Sequence, residues 1–139
     1  MKQKLLYFKL IFLLFYNIQA FSQNVLLKNK VGIEGSKSIN IYDLQIDSQN
    51  NRYVSGTFSG TADFDSSPNE ALLTTNGGND IFLAKYDQNG NYLWAFNIGG
   101  TSTSGFYYDS VGSIILDNNG NIYLTGDITG DTDVDPSAN

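Results

Sequence analysis

The sequence predicts an all-β fold made of repeated four-stranded antiparallel units. Three observations point there. A turn of the form Asp-x-x-Gly-Asn stands between apolar runs at Asp117-Asn118-Asn119-Gly120-Asn121 and at Asp87-Gln88-Asn89-Gly90-Asn91, and a degenerate copy at Asp47-Ser48-Gln49-Asn50-Asn51 has Asn50 in the glycine place. Asn-Gly between apolar runs is the strongest short-range hairpin signal, and Gly, with Asn next, tolerates the positive φ such a turn requires. The first and third copies belong to a longer repeat, because residues 47–69 superpose without a gap on residues 117–139, seventy positions later. Tyr53 falls on Tyr123, Gly56 on Gly126, Gly60 on Gly130, Asp63 on Asp133 and Asp65 on Asp135, while Leu44 and Ile46 precede the turn as Ile114 and Leu116 do. Finally, no helical period runs outside the first residues, and nine Tyr, nine Phe and fourteen Gly suit strands joined by many turns.

The elements follow in chain order. Residues 1–22 have a basic start, an apolar centre at 10–15 and small residues before Gln23, the pattern of a cleaved secretory signal. The apolar stretch falls short of the roughly 20 residues a membrane span needs. Residues 23–38 read as a leading segment or linker, and residues 39–139 as about one and a half repeat units. Residues 39–46 and 52–58 form a hairpin around the first turn. Residues 60–69 read as a loop and 71–75 as a short strand ending at Asn76-Gly77-Gly78-Asn79. In residues 80–86, Ile81, Phe82, Leu83 and Ala84 are apolar without a break, as in a strand covered on both faces. Residues 91–98 alternate Tyr92, Trp94, Phe96 and Ile98, a period of two. Residues 99–105 form a loop, and 107–116 and 121–126 a last hairpin. The second unit stops partway, so the sequence reads as an N-terminal piece of a longer protein.

Composition excludes several functions. Beyond residue 22 the chain has fourteen acidic and five basic residues, a net charge of about −9. Nucleic acid and anionic membrane surfaces are poor partners for such a chain. It has no Cys and no His. That removes disulfides, the usual zinc ligands and the common nucleophile–base pairs. Ser102, Ser104 and Ser110 therefore lack a triad partner, and no enzymatic activity is expected.

Residues 80–95, Asp-Ile-Phe-Leu-Ala-Lys-Tyr-Asp-Gln-Asn-Gly-Asn-Tyr-Leu-Trp-Ala, followed by Ile98-Gly99-Gly100, resemble the SBBP-type β-propeller repeat of large exported bacterial proteins, many from the Bacteroidetes. Residues 56–65 and 126–135 look like the segment that follows Gly-Asn-x-Tyr in that family. The resemblance implies a β-propeller of four-stranded blades, incomplete in this chain, with neighbouring blades as its partners. It further implies a secreted or cell-surface, non-catalytic structural or binding role, with a surface glycan or a protein as ligand. The alternative is a propeller carrying an extracellular hydrolase or lyase site.

Candidate site residues are few. Asp131, Asp133 and Asp135 alternate in one loop, echoed by Asp63 and Asp65, and carboxylates so spaced suit a hard cation such as Ca²⁺. The other reading is an acidic turn, since the further ligands of a complete calcium loop are absent. Trp94 is either a carbohydrate platform or a core residue, with core the more common role for an alternating strand position. Tyr53 and Tyr123 read as packing residues whose hydroxyls reach a polar edge.

Overall fold

The computed structural model describes residues 32–35, 38–101, 109–132 and 134. Six strands occur in order: β1 (Ser38–Ile46), β2 (Arg52–Asp63), β3 (Leu72–Tyr86), β4 (Tyr92–Ile98), β5 (Ser110–Leu116) and β6 (Ile122–Asp127). The first four make one antiparallel sheet in chain order, and β5 and β6 make a separate two-stranded sheet.

Each predicted turn forms, and its chemistry explains the motif. In the first, the N–H groups of Gln49 and Asn51 donate to Asp47 Oδ1, each at 2.9 Å, and Asn51 Nδ2 donates to Asp47 Oδ2 at 2.8 Å. Asp87 receives the same three bonds from Asn89 and Asn91, and Asp117 from Asn119 and Asn121. The Asp is thus an acceptor for the turn's own backbone, and the Asn that follows the Gly braces it. The residue between them is left-handed, with φ of 63° at Asn50, 88° at Gly90 and 84° at Gly120.

The seventy-residue repeat is structural as well. β1–β2 slips register between Ile41 and Asp43, opposite Gly56 and Ser55. β5–β6 slips between Val111 and Ser113, opposite Gly126 and Thr125. A Cβ on Gly56 would stand 2.0 Å from the Asn40 carbonyl oxygen, and one on Gly126 would stand 2.3 Å from that of Ser110. Glycine recurs there because the strands approach too closely for any side chain.

Three expectations need correction. Residues 60–63 are strand rather than loop, because β2 continues through a bulge in which Gly60 takes a φ of 81°. The two strands expected at 71–75 and 80–86 are one long β3, paired with β2 on both sides of that bulge: Ser59 faces Asn79, Thr61 faces Thr74, and the intervening residues loop out opposite Gly60. The third correction is the architecture. A propeller of repeated four-stranded blades is not what forms: the described residues make one four-stranded and one two-stranded sheet, neither of them closed.

The core has two parts, one on each face of β2 and β3. Val54, Phe58, Phe82, Ala84 and Tyr86 pack with Ala62 and Phe64 on one face. Three rings, Phe58, Phe64 and Phe82, meet with centroids 5.1 to 6.2 Å apart. On the other face Tyr53 and Leu83 meet Ile114 of β5, flanked by Trp94, Phe96, Leu116, Ile122 and Leu124. Phe82/Ala84 and Leu83 therefore fall in opposite cores and are all buried, as the unbroken apolar run predicts. Among the described residues no helix is long and apolar enough to cross a membrane.

Candidate functional site

Stacking the small sheet on the large one brings two equivalent turns side by side. Ile46, Asp47, Ser48 and Gln49 of the first turn face Leu116, Asp117, Asn118, Asn119 and Gly120 of the third. Tyr53 and Lys85 form the floor, and the cleft between the turns encloses about 420 Å³. That volume lies in the range of small-molecule sites.

Polar groups dominate the walls. Lys85 Nζ lies 3.9 Å from Asp47 Oδ2 and 4.8 Å from the centre of the Tyr53 ring. The Tyr53 hydroxyl donates to Asp47 Oδ2 at 3.4 Å, and that of Tyr123 donates to Asp117 Oδ2 at the same distance. Both carboxyls are held below the ordinary aspartate range. For Asp117 the Asn121 side chain is the main cause. For Asp47 desolvation opposes the charge, but the bonds from Asn51 and Gln49 and the nearby Lys85 outweigh it. Each carboxylate is thus ionised and engaged within its own turn, a poor arrangement for a general acid and a firm brace for the cleft wall.

A second polar device holds the cleft together. The Ser113 hydroxyl and the Ile114 N–H donate to Asp43 Oδ2 at 3.0 and 2.9 Å, joining β1 to β5. The Leu44 N–H donates to Asp43 Oδ1 at 2.8 Å. The Ile114 bond is the chief reason that the Asp43 carboxyl also lies below its usual range. At the far end of the sheets the Thr129 N–H donates to Asp109 Oδ1 at 2.8 Å and the Gly100 N–H to Asp109 Oδ2 at 3.3 Å, tying the β4 end to the segment after β6.

No family model, no curated protein and no solved structure matches this chain. The resemblance to the SBBP-type propeller family is therefore corrected: no family model carries it, and the open sheets argue against a propeller-type family. The propeller-borne scaffold and the propeller-borne hydrolase or lyase fall with it.

The acidic loops serve their own backbone. The N–H groups of Asp65 and Ala71 donate to Asp63 Oδ1 at 3.0 and 2.9 Å, and that of Ser67 donates to Asp65 Oδ1 at 2.9 Å. The Ala71 bond leads in lowering the Asp63 carboxyl. Asp131 is exposed, and Asp133 and Asp135 lie outside the described residues. Among the described residues, no three acidic side chains gather as a metal cluster. Trp94 stacks on Phe96 at 5.7 Å and meets the edge of Tyr53 at 6.1 Å, so its ring is a core element.

The sequence reading missed Asp43 and Lys85. A signal for Asp43 was present. Its counterpart seventy positions on is Ser113, so the repeat breaks its residue type where one hairpin reaches the other. Asp80 was missed too. It is fully buried, takes bonds from the Asn76 N–H and Asn97 Nδ2 on Oδ2, and has no partner on Oδ1. Burial pushes its carboxyl up.

Proposed function

We propose that this is an exported, non-catalytic binding protein whose ligand is an uncharged, hydroxyl-rich group such as a glycan residue, held in the cleft between the first and third turns. The observation that carries this reading is the state of the two acidic walls. Asp47 and Asp117 are engaged by their own turns, so they brace the walls and offer no transferable proton, while the side chains of Ser48, Gln49, Asn118 and Asn119 line the cleft as neutral hydrogen-bonding groups. Sugar hydroxyls suit such walls, and the Lys85 ammonium and the turn amides supply donors to the sugar oxygens. Ile46 and Leu116 add an apolar patch against which a pyranose C–H face packs. Export rests on the leader-like residues 1–22, and the non-catalytic reading rests on the engagement of both cleft carboxylates within their own turns, in a chain without Cys or His.

The test is a titration of the protein with neutral mono- and disaccharides, followed by amide chemical shifts. Saturable shifts confined to residues 46–49 and 116–120, weakened about tenfold or more by Lys85→Met, are the expected result. An unresponsive cleft across the panel overturns the ligand assignment. Turnover of chromogenic glycosides that disappears in Asp47→Asn overturns the non-catalytic part.

A further inference from the structure

The two sheets meet through unlike faces of like hairpins. The β1–β2 hairpin contributes the face that carries Tyr53, and the β5–β6 hairpin contributes the opposite face, with Ile114, Leu116, Ile122 and Leu124. The opposite face is covered along β2, where Val54 and Phe58 enter the first core, but it is bare along β1 and largely bare on the β5–β6 hairpin. Leu44 is 51 % exposed where its counterpart Ile114 is 0 %. Tyr123 is 56 % exposed where its counterpart Tyr53 is 5 %. Ile46 is likewise bare on β1, and Ile115, opposite Tyr123 across the β5–β6 pair, is bare on the small sheet. The bare β1 strand and the bare β5–β6 face thus repeat the β5 strand and the Tyr53 face that already meet inside the chain, although Val54, the counterpart of Leu124, is buried in the first core.

We propose that the chain associates with a second copy of itself head to tail, the Leu44 and Ile46 face of one copy packing on the Ile115 and Tyr123 face of the next. The argument is continuity with the internal interface. β1 of the incoming copy takes the place, relative to β5–β6, that β5 takes relative to β1–β2. The contact is heterologous, so each bound copy offers the same free face again, and association proceeds beyond a dimer or closes as a ring. A net charge of −6 opposes close approach of copies, so added salt strengthens association. This inference does not rest on the ligand cleft, although Ile46 borders both surfaces, and it survives if no sugar binds.

Two single variants at exposed positions, Leu44→Glu and Tyr123→Glu, test it, with assembly size followed by sedimentation velocity. The unaltered protein is expected to grow past dimer with concentration. Each variant alone is expected to remain monomeric, because every possible contact then includes one charged face. An equimolar mixture is expected to give a 1:1 dimer and nothing larger, since the intact Tyr123 face of one variant meets the intact Leu44 face of the other. Circular dichroism of each variant separates a lost interface from a lost fold. A monomeric unaltered protein at all concentrations, or a folded variant that still self-associates alone, overturns the proposal; self-association of one variant points instead to a symmetric contact through its intact face. A mixture that stays monomeric overturns it as well.

Discussion

The β1–β2 and β5–β6 hairpins share a turn, a register slip, a close-approach glycine and a tyrosine bonded to the turn aspartate, yet their burial is reversed. β2 is buried through most of its length and β6 mostly is not. Tyr53 keeps its ring under the second hairpin, and Tyr123 presents the same ring to solvent. Local geometry therefore comes from the hairpin's own residues, whereas each side chain's energetic weight comes from what is packed beside it. β2 has β3 along its edge and β5–β6 over its face; β6 has neither.

The sharpest way to break this comparison is to truncate the paired tyrosines. Tyr53→Ala is expected to destabilise the chain by about 3 kcal/mol, because it empties a packed position between Leu83, Trp94 and Ile114. Tyr123→Ala is expected to change stability by less than about 0.5 kcal/mol in dilute solution, as exposed positions do. Urea unfolding of both variants checks the ratio, and equal losses would show that the exposed face is covered in solution.

A smaller effect is expected at the tie between the hairpins. Asp43→Ala removes two hydrogen bonds across the sheets at a half-exposed site, for a loss of about 1–2 kcal/mol. The loss should appear as faster amide exchange in β5 and β6 with β2 and β3 unchanged. The same tie is acid-sensitive. Because the folded Asp43 carboxyl lies below its ordinary 3.8, its contribution is present above pH 3.8 and lost as pH falls through the lowered value. Asp80 has the opposite sign: its pKa is raised, so its contribution is full below pH 3.8 and lost as pH rises through the raised value. A variant with Asp43→Ala should therefore lose less than the unaltered protein when the pH is taken from above 3.8 to below the lowered value.

The smallest expected effect sharpens the likeness of the turns. Asn50 holds with a φ of 63° the place that Gly120 fills at 84°. Asn50→Gly is expected to shift stability by no more than about 0.5 kcal/mol, since both residues accept that conformation. Gly120→Val, which forces a branched side chain into it, is expected to cost more. Thermal melts of the two variants compare them directly.

These pairs also show what a sequence makes visible. The three turns were legible because an Asp, a left-handed residue and an Asn at the first, fourth and fifth places of the motif act on one another within a few bonds. The two-sided burial of β3 was legible because Ile81 to Ala84 leaves no polar face. The continuity of β3 past Asn76-Gly77-Gly78 was not, because strand pairing with residues far away in sequence overrode a local turn signal. The repeat suggested a propeller, but repetition tells which residues recur and not how many sheets gather or whether they close. The cleft was hidden for a related reason: its walls lie seventy positions apart, and neither turn alone encloses anything.

The Asp43 bond to Ser113 has a kinetic consequence. It joins residues 70 positions apart, while each turn aspartate closes on an Asn four positions away. By loop-closure entropy the long connection costs about 2.5 kcal/mol more than the short ones. The hairpins therefore have their registers set within microseconds, long before the sheets find each other. Docking of β5–β6 is therefore expected to follow hairpin formation. Undocking β5–β6 alone would bare Tyr53, Leu83 and Ile114 together while leaving every turn and its aspartate cage intact, so the junction between the sheets is where a partly open form would expose its apolar surface.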